Sequence, residues 1–190
     1  MKKHLIYALL LTFAISLVGG NVLFSQAGSK EKTGDKNSSE KKGTVTWYKY
    51  DEGLAKAKKE KKHVVVDFYT TWCGWCKRMD KYTFENEEVK KVLNESYIAV
   101  KVNAESADKV KVNGKEMTER QVAQAYGVRA YPITWFLKPT GDKIAPRSGY
   151  AEAPEFVYIL NWVKDDLYDK ISFDEFVKQQ QEKKNSEKKD

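Results

Sequence analysis

Cysteine and histidine are scarce in this 190-residue chain, which has two of each: Cys73, Cys76, His4 and His63. A structural zinc site wants four such ligands, and these residues are the whole supply. A c-type haem attachment needs His directly after the second Cys, where Lys77 stands. A purely structural bridge between Cys73 and Cys76 would close a very small loop and add little chain-entropy stabilisation. Long apolar runs are also lacking. Residues 5–18 are apolar, but a spanning helix needs roughly 20 such residues. Basic charge is absent where nucleic acid would need it. Of the net +7, the stretch 44–180 keeps only +2, the rest lying in the terminal segments. A solvated charge excess explains this better than a nucleic-acid stripe.

The two cysteines themselves sit in Trp72-Cys73-Gly74-Trp75-Cys76, between tryptophans. Before them runs HVVVDFY (63–69), short, continuous and β-branched, which predicts a buried strand. After them comes KRMDKYTF, with Met79 three residues beyond Cys76, as one face of a helix requires. The pair is thus expected where a strand turns into a helix. A helix N-terminus offers partial positive charge and free N–H groups, both of which favour a thiolate at Cys73. Cys76, one turn further in, is expected to face the protein. An exposed, acidified thiol beside a shielded partner makes a dithiol suited to exchange with other disulfides.

Residues 1–27 read as a cleavable signal peptide. Lys2 and Lys3 precede the apolar run, and Ser25 and Ala27 place small residues before the expected cut. No cysteine lies there for a lipoprotein anchor, and an uncleaved anchor is the less favoured reading. The location expected is therefore periplasmic or otherwise exported. Residues 28–43 and 181–190 hold no large apolar residue and are expected to be disordered linker and tail around a domain at 44–180. Within that domain we expect an edge strand at 45–50, a surface helix at 52–61, and the strand and helix bearing the cysteines. Asn86 caps a helical piece through Leu93, and a second buried strand spans 97–103, parallel to the first. Asn113-Gly114 marks a hairpin inside an insertion, 105–117. Thr118 and Gln121 form a capping box. Strands at 133–137 and 143–150 pair antiparallel, and helices follow at 154–168 and after Ser172.

This α/β order, with a Cys pair after the first central strand, resembles the thioredoxin-like superfamily over about 44–168. VDFYTTWCGWCK resembles its active-site strand and motif, and YGVRAYP its helix end leading to a cis-proline. WCGWCKRMDKYTF is similar to exported single-domain thioredoxins and to the C-terminal domain of the membrane electron carrier DsbD. The resemblance implies a thioredoxin-like fold, a central mixed β-sheet flanked by helices. It implies Cys73 as attacking thiolate, Cys76 as resolving thiol, and Asp67 with Lys101 as a buried acid and its companion lysine. Pro132 would then be cis and Tyr131 would present its backbone to substrate, with Trp72, Gly74 and Trp75 forming the rim. Trp135 and Trp162 read as ordinary core aromatics. The activity implied is thiol–disulfide exchange, favouring reduction of protein disulfides. Oxidation, isomerisation or a redox-sensing adaptor are the alternatives. Partners would be cysteine-containing exported proteins and a membrane electron donor of the DsbD type, with no metal or cofactor, no stable membrane span after cleavage, and a monomeric chain. Two departures from thioredoxin, Trp75 where it has Pro and Ile133 where it has Thr, leave the direction of electron flow outside the resemblance.

Overall fold

A computed structural model describes residues 43–187. The expected signal peptide and nearly all of the linker lie outside the described residues, as do the last three residues of the tail. Among the described residues no helix is long and apolar enough to cross a membrane.

A five-stranded sheet runs through the middle in the order β1-β3-β2-β6-β7. Strand β2 (His63–Tyr69) lies at its centre, parallel to β3 (Tyr97–Asn103) and antiparallel to β6 (Ile133–Leu137). The edges are β1 (Trp47–Tyr48), parallel to β3, and β7 (Lys143–Ser148), antiparallel to β6. Side chains alternate along β2, so Val64, Val66 and Phe68 enter one core and Val65 the other. The first core is covered by α1 (Tyr50–Glu60) and α4 (Glu119–Ala125), through Ala57, Val122 and Ala123. The second is covered by α2 (Gly74–Met79), α3 (Glu87–Ser96) and α5 (Ala153–Lys164), through Met79, Leu93, Phe156 and Leu160. Burial on both faces explains why β2 and β3 read as continuous apolar runs rather than alternating ones.

Local chemistry sets the ends of these elements. Asn86 Oδ1 accepts from the Glu88 and Val89 N–H groups, and Thr118 and Gln121 form the reciprocal capping box. The separate hairpin of β4 (Lys109–Val112) and β5 (Lys115–Thr118) turns through Asn113 and Gly114, with φ of 50° and 78° as a two-residue turn of this hand requires.

Several boundaries differ from expectation. The first strand is two residues long, because Tyr50 opens α1 and turns its hydroxyl inward to Tyr126, 2.8 Å away. Helix α5 stops at Lys164 rather than 168. Asp166 is left-handed (φ 52°), and the Leu167 N–H donates back to the Trp162 carbonyl at 3.0 Å, a closed C-terminal motif. Helix α6 (Phe173–Glu187) carries on through residues read as the start of a disordered tail. Its Gln, Glu and Lys residues are good helix formers, and Phe176 anchors it beside Tyr158 of α5.

Gly53 of α1 marks the closest approach of a helix to the sheet. A Cβ there would lie 2.2 Å from Val100 Cγ2 on β3. Alanine in a helix interior normally gains up to about 1 kcal/mol over glycine. Here overpacking against a stiff β-branched side chain wins, and Gly53→Ala is expected to lower stability by about 1–2 kcal/mol. Urea unfolding of the variant beside wild type checks the sign.

Candidate active site

Strand β2 ends at Tyr69, and within four residues the chain has turned into α2. The Cys73 N–H donates to the Thr70 carbonyl at 3.2 Å, closing the turn. Cys73 is the N-cap of α2, and its Sγ accepts from the Cys76 N–H at 3.0 Å, where a capping oxygen would ordinarily sit. The two cysteines form a disulfide, with Cα atoms 5.3 Å apart. The exposure expected for Cys73 is not found in this oxidised state: Cys73 and Cys76 are 4% and 3% exposed. Bonding to Cys76 and capping the helix draw its sulfur inward. Position therefore distinguishes the two, Cys73 at the helix start and Cys76 inside its first turn. After Met79 the helix widens into a π turn, Asp80–Phe84, in which the Asp80 N–H donates to the carbonyls of Cys76 and Lys77.

Beneath α2 lies Asp67, 1% exposed, with Lys101 and Thr134 as its register partners on β3 and β6. Lys101 Nζ stands 3.6 Å from Asp67 Oδ2, but its closer partner is Asp80, to which it donates directly. The ammonium also lies near the rings of Tyr69 (4.8 Å) and Trp47 (5.1 Å). Asp67 thus has half of a lysine. Burial pushes its carboxyl up from 3.8 to about 7; Lys101 opposes this and the charge of Asp80 reinforces it. Asp67 Oδ1 has no hydrogen-bond partner among the described residues. It is the oxygen left to accept a proton.

The rim is aromatic. Trp72 and Trp75 are 64% and 58% exposed. The peptide bond Tyr131–Pro132 is cis, where the sequence by itself favoured trans and the family resemblance implied cis. Pro132 is buried, and its carbonyl accepts from the Gly149 N–H at 2.8 Å. Trp72 stands edge-on to Tyr131 with ring centres 6.0 Å apart, and its Nε1 donates to Glu105 Oε2 at 2.9 Å. Trp75 leans on Tyr150 at 5.6 Å and, with Tyr131, Pro132 and Gly149, lines a groove of about 370 Å³. Gly74 is exposed, with nothing within 4 Å of an added Cβ. Trp135 and Trp162 are partly buried against the two cores.

Two residues of this neighbourhood escaped the sequence reading. Asp80 lies one turn after Cys76, a helical i,i+4 spacing that was legible, but its pairing with a lysine on β3 was not. Glu105 belongs to the connection into the hairpin, and nothing in the sequence marks it as the acceptor for Trp72.

Residues 50–164 match the family described as thioredoxin-like domain. Over 105 residues the chain is 38% identical to the protein disulfide-isomerase of Oryctolagus cuniculus, covering 54% of this chain and 18% of that protein. The matched stretch thus spans under a fifth of the length of that relative. Among solved structures, a thioredoxin-fold protein from Helicobacter pylori is 25% identical with a TM-score of 0.52, over 64% of this chain and 80% of that one. A thioredoxin from Thermus thermophilus superposes with a TM-score of 0.53 at 23% identity, over 64% and 88%.

The raised Asp67 carboxyl makes stability depend on pH. Between about pH 4 and 7 the folded chain holds a proton that the unfolded chain has released, so stability falls as pH rises through that window and levels off above it. From 3.8 to about 7 the loss is at most about 4 kcal/mol, at about 1.36 kcal/mol per pH unit. In the oxidised protein, Asp67→Asn is expected to remove this slope and to be the more stable form at pH 8. Asp80→Asn should narrow the window by lowering its upper end, because Lys101 is left to Asp67 alone and the charge of Asp80 is gone. Urea unfolding of the three proteins from pH 4 to 8 measures both effects.

Proposed function

This chain belongs to the thioredoxin-like family, and from that premise we propose that it is an exported thiol–disulfide oxidoreductase that reduces disulfides of other exported proteins. The observation that carries the reading is the Cys73–Cys76 disulfide with Cys73 Sγ at the helix N-cap. On reduction, the same N–H that now meets Sγ would stabilise a Cys73 thiolate. That thiolate attacks one sulfur of a substrate disulfide. The substrate S–S bond breaks, a mixed disulfide forms, and the other substrate sulfur leaves and takes up a proton. Cys76 gives its proton to Asp67, directly or through water, and attacks Cys73 Sγ. The mixed disulfide breaks, the second substrate sulfur leaves and is protonated, and the Cys73–Cys76 bond is restored. Two electrons have passed to the substrate.

An acid of raised pKa suits this relay, because it exchanges protons near neutrality. Lys101 serves by holding Asp67 and Asp80 together. Trp72, Gly74, Trp75, Tyr131 and Pro132 would receive the substrate. The backbone N–H and C=O of Tyr131 make no hydrogen bond among the described residues, which supports pairing with an extended substrate segment as an added strand does.

Reduction is favoured as the direction by the two carboxylates, Asp67 and Asp80, that share one lysine beside the turn of Cys76. Once Asp67 is ionised, the two carboxylates outnumber Lys101 by one charge, which disfavours a Cys76 thiolate and so favours the disulfide form of the pair. Lys77, Arg78 and Lys81, by contrast, are exposed and screened by solvent. A strong oxidant, whose reduced form is stabilised, is the reverse. The basic, apolar and small-residue pattern of 1–27 supports export. In an oxidising compartment a reductant needs electrons from outside, and a membrane donor of the DsbD type would supply them. An isomerase reading draws on the 38% identity to a protein disulfide-isomerase.

Cys76→Ser is expected to trap stable mixed disulfides with exported proteins, and Cys73→Ser few or none. A reductant should have a potential near thioredoxin's, about −270 mV, and reduce insulin. A value near about −120 mV with fast oxidation of reduced proteins would assign an oxidant instead. Equal trapping by both single variants would overturn the division of labour between the cysteines.

A further inference from the structure

Arg78 lies two residues beyond Cys76 on α2, exposed, with its guanidinium set among three rings. The ring centres of Tyr82, Tyr150 and Trp75 are 5.4, 5.4 and 5.6 Å from its Cζ. Among the described residues no carboxylate pairs with it. Asp80, two residues along the same stretch, is engaged by Lys101. Lys77 and Lys81, both exposed on the same helical stretch, add positive potential. The rings hold the guanidinium plane while its edge keeps N–H donors in a rigid fork, the geometry that takes a carboxylate bidentately.

The location ties this cation to the reaction. Trp75 is the wall between two open grooves. One, of about 370 Å³, runs past Tyr131 and Pro132, and the other, of about 350 Å³, is lined by Gly74, Trp75, Arg78 and Tyr82. A segment crossing from the Tyr131 backbone over Trp75 would reach Arg78. At the opposite end of the rim Glu105 holds the Trp72 indole, and the Arg120 guanidinium donates to the Glu105 backbone carbonyl, so charge of both signs meets there. The cationic end of the rim is thus the one beyond Trp75.

We propose that Arg78 is a specificity-determining residue that receives a carboxylate side chain, Asp or Glu, lying a few residues from the reactive cysteine of an extended substrate segment. The inference rests on the thiol–disulfide reading of the site. The aromatic cradle preorganises the fork, and Trp75 separates the bound acid from the reacting sulfurs. Acidic substrate segments are selected at this end of the rim and basic ones are repelled.

The test uses pre-reduced full-length protein and synthetic peptides whose single cysteine is capped as a disulfide with 2-mercaptoethanol. Two pairs are made, with Glu or Gln three residues before the cysteine and with Glu or Gln three residues after it. Acid quench and chromatography give the rate of peptide thiol release. In at least one pair the Glu peptide is expected to react about fivefold faster than its Gln counterpart at low ionic strength, with the ratio approaching one in ~0.5 M salt. The ratio, rather than either rate, carries the result. It should fall to about one in Arg78→Gln and below one in Arg78→Glu, with circular dichroism confirming that both fold. Ratios of one in wild type for both pairs would overturn the Arg78 proposal while leaving thiol–disulfide exchange intact, as would a ratio that survives Arg78→Gln. No release from any peptide would overturn the exchange reading itself, and the proposal with it.

Discussion

Burial of β2 on both faces is the constraint on which the rest of the molecule depends. Val64, Val66 and Phe68 fill one core and Val65 the other, all fully buried. The strand can deliver its C-terminal end to only one place, so the turn at Thr70–Cys73 and the start of α2 are fixed with it. The same burial encloses Asp67. A carboxyl on that strand cannot reach water, and its nearest cation is shared with Asp80. The packing that positions the sulfurs therefore also raises the acid beneath them.

Much of this was legible in the sequence because the signals were local. The bounds of β2 and β3 followed from β-branched runs, the hairpin from Asn113-Gly114, and the starts of α3 and α4 from Asn86 and Thr118. What escaped depended on contacts between distant elements. Lys101 reads as the companion of Asp67 in sequence, yet Asp80 takes its closer hydrogen bond. Glu105 joins Trp72 across 33 positions. Cys73 looked exposed because a helix start suggests exposure, whereas the disulfide and the cap draw its sulfur in. Helix α6 was legible at its start after Ser172, but its last turns were read as tail because their residues are polar, and polarity alone does not separate the end of a helix from a solvated tail.

The surroundings of the disulfide divide into two layers with different physics. Below, buried Asp67 meets Lys101, which is shared with the part-exposed Asp80, and the charge of Asp67 is set by packing and responds to pH. Above, Trp72 and Trp75 form a solvent-exposed rim beside Tyr131. The hairpin connection reaches the rim through Glu105, so the insertion helps to shape the surface without touching the sulfurs.

The margins of the sheet carry a consequence for self-association. Strand β1 has only two residues, and β7 carries Pro146, which has no N–H to donate, between Lys143 and Arg147. Short, charged or proline-bearing edges resist pairing with a neighbouring copy. A protein that meets partners through an unpaired backbone segment at Tyr131 runs a standing risk of aggregating with itself. On the exchange reading proposed above, blunting both sheet edges confines that adhesiveness to the unpaired backbone at Tyr131, beside two exposed tryptophans.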